Sequence, residues 1–289
     1  MPFDLTFPNL DERAVQYNAR ASVTNFDSEM RTYAALSQAS RQRCAGILDL
    51  QYGMGHAERL DIFPTAASAQ PTPVFVYLHG GYWRSQRKED ACSMVAALTG
   101  AGVAVAMIEY TLLPEATLAE VVREVRSAIA WLYKHGRTYG IDPQRIHVCG
   151  SSAGGHLAGM LYQDYWQPHF NVPHDVIKGV IGLSGLYDLR PLCDINVNEW
   201  LRLYSDQATL LSPALRLPER APPLLLSVGG LETAGFRNQT LQFHEDVSHR
   251  RLPVSLVPNT HSNHFNIVNE LADPASVLSE ATIALIGNI

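Results

Sequence analysis

From residue 73 onward, short apolar runs rich in β-branched residues alternate with longer segments whose apolar positions recur at helical spacing. The runs are 74–78, 103–108, 146–149, 180–183, 224–228 and 254–257, and their unbroken apolarity suits strands buried on both faces. Between them, segments 93–98, 118–135, 154–162, 236–250 and 276–286 read as helices. That succession predicts an α/β fold with a mainly parallel central sheet and helices on both faces. Ahead of it, segments 46–52 and 59–63 alternate apolar and polar residues around Gly53 and Gly55, as an antiparallel pair at a sheet edge does. Segment 10–43, rich in Ala, Arg, Gln and Ser, reads as helical. A chain of 289 residues with this pattern is expected to form one domain, 1–289, around one continuous sheet. Two aromatic-bearing stretches, 164–175 and 188–217, break the alternation; they read either as a small helical and loop cap over a pocket or as ordinary surface structure.

Composition narrows the function classes. Hydrophobic residues are 46% and charged residues 17%, enough for a large core. With 28 acidic and 22 basic residues and no run of Lys or Arg, nucleic acid is not an expected partner. The absence of a basic lead into an apolar stretch argues against a secretory signal, and no apolar run approaches the ~20 residues a bilayer requires. Membrane contact is therefore not expected. Cys44, Cys92, Cys149 and Cys193 are widely separated, which fits reduced thiols in a cytoplasmic protein and no metal site. Partners are expected to be small molecules, with a homodimer left open.

The chemistry lies in three places. Gly150-Ser151-Ser152-Ala153-Gly154 follows a strand and opens a helix, the context of a G-x-S-x-G nucleophile elbow, with Ser152 in the central position. His79-Gly80-Gly81-Tyr82-Trp83 ends another strand, where the N–H groups of Gly80 and Gly81, with that of Ala153, suit an oxyanion hole. His79 itself reads as a packed side chain behind that loop. A serine needs a base, and His264, after the last strand and beside a helix-like segment, is favoured over His261. The acid should follow strand 224–228. Glu232 is the only carboxylate in loop 229–235, ahead of the more distant Asp188 and Asp246.

These residues resemble the arylformamidases, also called kynurenine formamidases, a branch of the α/β-hydrolase superfamily. The resemblance runs from about 52 to 268 and rests on His79 to Trp83, the elbow, Ser184-Gly185-Leu186-Tyr187-Asp188-Leu189, Phe236-Arg237-Asn238-Gln239-Thr240, and His264-Phe265 followed by Ile267-Val268. Counted back from Phe236, Glu232 stands at the family's acid position, usually Asp, and Ser151 stands where these enzymes usually carry His. The resemblance implies the α/β-hydrolase fold and hydrolysis of a formamide, amide or ester of a small aromatic compound through an acyl-enzyme, with no metal or organic cofactor. A carboxylesterase for short acyl esters remains the alternative, and a non-catalytic ligand-binding protein of the same fold a further one. Tyr82, Trp83, Trp166 and Tyr187 are candidate substrate-binding residues, though for Trp166 and Tyr187 core packing is an equal reading.

Overall fold

A computed structural model describes residues 6–66 and 70–287. Strands β1 (Ile47–Gln51) and β2 (Arg59–Phe63) pair antiparallel, and β2 pairs antiparallel with β4 (Ala104–Ile108). The remaining neighbours, β3 (Thr72–Leu78), β5 (Ile141–Ser151), β6 (Ile177–Leu183), β7 (Leu224–Ser227) and β8 (Val254–Val257), run parallel. Together they form one eight-stranded sheet in the order β1-β2-β4-β3-β5-β6-β7-β8. β5 begins before the apolar run that announces it. Its polar residues 142–145 extend past a register shift against β3, between Thr72 and Val74, which periodicity does not reveal.

Successive side chains of a strand point to opposite faces, and both faces here are covered. Val74, Val76 and Leu78 of β3 join one core, while Phe75 and Tyr77 join the other. Helices α4 (Leu118–His135), α5 (Ala153–Leu161) and α8 (Ala234–His249) close the first core. Helices α2 (Phe26–Arg43), α3 (Val95–Gly100) and α9 (Val277–Gly287) close the second. α4 shows why the sequence folds this way. Thr117 and Glu120 cap its first turn reciprocally, and Leu118, Val121, Val122, Val125, Ile129 and Leu132 form one buried stripe at helical spacing. Full burial of each such side chain is worth ~1.5–3 kcal/mol.

The strand order positions the site. From β3 the chain passes to β4 on one side, and α4 then carries it back across β3 to β5 on the other. The loops leaving the carboxyl ends of β3 and β5 therefore diverge and open a crevice, where open α/β sheets bind ligands.

Segment 188–217 contains two short helices, α6 (Asn198–Leu201) and α7 (Ser205–Leu210). Segment 164–175 lies outside the cavity lining and packs beside α5 and α4. The indole N–H of Trp166 donates to the Leu161 carbonyl at 3.1 Å and Lys134 Nζ to that of Phe170 at 2.9 Å, which fastens the segment to α5 and α4. Among the described residues no helix is long and apolar enough to cross a membrane. All four cysteines are free, Cys92 and Cys149 buried, Cys44 and Cys193 half-buried.

Candidate active site

Ser152 sits at the turn between β5 and α5 with φ 58° and ψ −118°, a region that side-chain-bearing residues rarely enter and that costs of order 1–3 kcal/mol. The surroundings hold it there. Its N–H donates to the Leu183 carbonyl at 2.8 Å, and its carbonyl accepts the His156 N–H at 3.0 Å. A Cβ on Gly154 would stand 1.9 Å from the Leu78 carbonyl oxygen, so only glycine lets α5 press this closely on the end of β3. The Ala153 N–H, the first of α5, has no intrahelical partner and faces the helix's positive end.

His264 Nε2 lies 2.9 Å from Ser152 Oγ, and its Nδ1 lies 2.6 Å from Glu232 Oε2. All three side chains are buried. The imidazole is wedged between Phe236, 4.2 Å between centroids, and Phe265, at 5.5 Å. Its loop is held by Asn263, whose Oδ1 accepts the N–H groups of Phe265 and Asn266 and whose Nδ2 donates to Glu29. His261 is exposed and lies outside the cavity lining.

Glu232 Oε1 accepts the Gly229 N–H at 2.7 Å and the Ser184 hydroxyl at 2.5 Å, leaving Oε2 to face the imidazole. The acid loop is laced to the base loop: Gly230 N–H donates to the Asn259 carbonyl and Leu231 N–H to that of Ser262. The longer reach of glutamate is thus met by a fixed cradle. Ser184 was not singled out as a functional residue from the sequence; a small hydroxyl directly after β6, next to the acid loop in the sheet order, was its signal. Asp188 is occupied otherwise, with both oxygens on the Arg190 guanidinium at 2.6–3.1 Å. Asp246, on α8, accepts from Gln242.

Gly80 and Gly81 line the same cavity as Ser152 and His264. Gly81 has φ 93°, and a Cβ there would stand 2.1 Å from the Ser85 carbonyl oxygen. His79 anchors the loop from behind. Its ring stacks on Tyr110 at 4.1 Å, Nε2 lies 2.9 Å from Glu109 Oε1, and the Tyr110 hydroxyl donates to the His79 carbonyl at 2.8 Å.

The cavity has a volume of about 720 Å³. Of the four aromatic residues read as substrate-binding, Tyr82 lines it and Trp83, Trp166 and Tyr187 do not. Neighbouring side chains on this tight turn diverge: Tyr82 turns to the cavity while Trp83 packs its edge on His156 in the core. Tyr187 stacks on Phe243 at 4.2 Å, and Trp166 packs on Phe170. Trp200 of segment 188–217 is the tryptophan at the cavity, its indole N–H donating to the Tyr82 carbonyl at 3.2 Å.

The opposite wall comes from the N-terminal segment, which the sequence placed only as helical. Helix α1 (Leu10–Gln16), the connection that follows it and the start of α2 bring Ala14, Tyr17, Asn18, Arg20, Phe26 and Met30 to the lining. Tyr17 is the tie point. Its carbonyl accepts the Tyr82 hydroxyl and its own hydroxyl accepts from Gln239 Nε2 at 3.1 Å, while Gln239 Oε1 holds the N–H groups of Tyr187 and Asp188. Burial raises the Tyr17 and Tyr82 phenol pKa values, keeping both neutral. Arg20 stacks on Phe26 at 4.0 Å and Arg84 on Trp200 at 4.2 Å, and no Asp or Glu is among the lining residues. Among the described residues no cluster of His, Cys, Asp and Glu has the makings of a metal site.

Chains of known kind share this architecture. The family model described as BD-FAE matches residues 60–230. The kynurenine formamidase of Salmo salar is 30% identical over 274 residues, covering 90% of this chain and 90% of that protein. The chain belongs to the kynurenine formamidase-like branch of the α/β-hydrolases. A second kynurenine formamidase, from Danio rerio, is 26% identical over 289 residues, covering 96% of each. Among solved structures, a Silicibacter protein described as a candidate thioesterase superposes with a TM-score of 0.80 at 28% identity, covering 95% of this chain and 98% of that one. The chain is thus a hydrolase acting on an amide or ester bond.

Proposed function

We propose that this hydrolase cleaves a formamide, amide or ester of a small aromatic compound with Ser152, His264 and Glu232 as its catalytic triad. The observation that carries this reading is the unbroken line from Glu232 Oε2 through the imidazole to Ser152 Oγ, 2.6 and 2.9 Å, ending at an aromatic-walled cavity. A cavity of about 720 Å³ is the size of small-molecule sites.

In this mechanism Ser152 Oγ attacks the carbonyl carbon as His264 Nε2 takes its proton. Glu232 keeps the proton of the imidazole on Nδ1 and stabilises the imidazolium. The N–H groups of Ala153 and Gly81 hold the oxyanion, each such donor being worth ~3 kcal/mol. The imidazolium then protonates the leaving nitrogen or oxygen, and water, deprotonated by the same imidazole, releases the acid. The formamide preference draws on the two kynurenine formamidase relatives. A carboxylesterase would use the same atoms.

Turnover of formyl, acetyl and butyryl anilides and the matching phenyl esters tests the reading. Formyl should exceed butyryl on the same amine. Equal or greater rates with butyryl, or turnover of esters alone, would leave the carboxylesterase standing; no burst with an activated ester would leave a binding protein.

A further inference from the structure

Loop 80–87 contains a polar group that the triad chemistry does not use. Gln86 lines the cavity, its side-chain carbonyl oxygen is buried, and no donor reaches that oxygen. A Cβ on Gly80 would stand 3.6 Å from Gln86 Oε1 and 3.3 Å from Ser152 Cβ, so acceptor and nucleophile flank the same glycine. A buried acceptor without a donor is a cost that most folds avoid, and its place beside the reacting serine makes a ligand the natural supplier of the donor.

The backbone holds this group deliberately. Tyr82, Trp83 and Gln86 have φ of 52°, 57° and 69°, three positive values at side-chain-bearing residues within five positions. On one side the Ser85 N–H donates to the Gly81 carbonyl at 3.1 Å. On the other, the Arg87 N–H donates to Asp90 at 3.0 Å and the Lys88 N–H to Glu109 at 3.2 Å. Glu109 is the carboxylate that also meets His79, so Gln86 is fixed to the same frame as the glycines of the oxyanion loop.

We propose that Gln86 is a specificity-determining residue whose side-chain carbonyl accepts the N–H of an amide substrate, so that the site reads an amide apart from the ester of the same shape. The inference rests on the hydrolase mechanism above and deepens it. An anilide and a phenyl ester differ at the leaving atom alone: the amide nitrogen carries a proton, whereas the ester oxygen offers only lone pairs. With an amide bound, the Gln86 oxygen gains its missing donor. With an ester bound, two oxygens face each other and the acceptor stays unsatisfied.

The test is Gln86→Met, which keeps the length of the side chain and removes the acceptor, assayed with formanilide and phenyl formate. The expected result is a fall of about 10- to 100-fold in kcat/KM for formanilide with less than about threefold change for phenyl formate, the scale of one buried hydrogen bond left unmade. N-methylformanilide supplies the converse: methylation should slow the wild-type enzyme far more than the Gln86→Met variant. A parallel loss on both substrates overturns the proposal, because it marks a general structural or oxyanion role, and so does no loss on either. Thermal melting of the variant separates a folding defect from a lost contact. Should the wild-type enzyme cleave only phenyl formate, the amidase reading falls by itself, and Gln86 is then read from formanilide as a competitive inhibitor. Its Ki should rise about tenfold in the variant; an unchanged Ki overturns the contact.

Discussion

Replacing Glu232 by glutamine changes one atom and should nearly abolish turnover, for a reason fixed by the hydrogen bonds around it. Oε1 accepts from the Gly229 N–H and the Ser184 hydroxyl. In Glu232→Gln the remaining carbonyl oxygen must stay at that position, since an NH₂ group there would meet the Gly229 N–H head on. The NH₂ group therefore takes the place of Oε2, 2.6 Å from His264 Nδ1. Two donors cannot share that line, so Nδ1 loses its proton and the neutral ring carries it on Nε2, facing Ser152. The imidazole is then in the tautomer unable to accept the serine proton. The loss expected from a wrong tautomer is ~10³–10⁴-fold in kcat, or about 4–5.5 kcal/mol. Single-turnover kinetics with an aryl ester, alongside a melting curve, measure it free of product release and of unfolding. A folded Glu232→Gln enzyme that keeps more than about a tenth of the wild-type rate would refute the assignment of the acid. Asp188→Asn is the contrast: it breaks the Arg190 pair and should lower the melting temperature while leaving the rate of the folded enzyme within about threefold.

Ser152→Ala should remove nearly all turnover without unfolding the chain, while Ser151→Ala keeps most of it, as measured by burst and steady-state assays with an aryl acetate; equal activity of the two variants would overturn the elbow reading. His156 gives a pH prediction: burial depresses its pKa to about 4, against 6.5 for the free side chain, with Nε2 donating to the Leu211 carbonyl at 2.8 Å. The unfolded chain thus takes up this proton first, so stability is undiminished by this residue above pH ~6.5 and is lost as pH falls towards ~4, by on the order of 3 kcal/mol. Urea unfolding from pH 7 to 4.5 should fall less steeply for His156→Gln than for the wild type; matching slopes would contradict the burial argument. Arg20→Gln and Arg84→Gln should each lower kcat/KM for an aryl ester bearing a carboxylate by about 3- to 10-fold and spare its neutral analogue, the difference shrinking in high salt. Equal effects on both substrates would show that the arginines act by packing alone.

The parallel strands were legible because a strand buried on both faces must be apolar at every position, and such runs are hard to mistake. The tight turn at Ser152 and the glycines beside it in the cavity were legible for a related reason: close backbone approach, as where Gly154 meets Leu78, leaves few residue choices. Glu232 was reached by being the sole carboxylate in its loop. The cavity wall was not legible. Tyr17 meets Tyr82 and Gln239 across 65 and 222 positions, and local periodicity holds no record of contacts that distant. Aromatic identity alone did not decide between pocket and core for Trp83, Trp166 and Tyr187, which are buried outside the cavity lining, because such rings satisfy the core as readily as a ligand. The placement of segment 164–175 against α4 and α5 was not legible for the same reason.

The wall contributed by residues 14–30 belongs to no strand of the sheet and holds none of the proposed reacting groups. Its attachment near the site runs through a few points, among them Gln16 to Thr233 and Gly235, Tyr17 to Tyr82 and Gln239, and Glu29 to Asn263. The proposed reacting groups and this side of the cavity wall thus lie in different stretches of the chain. Substitutions within residues 14–30 that keep these docking points can therefore reshape one side of the cavity without replacing Ser152, His264 or Glu232.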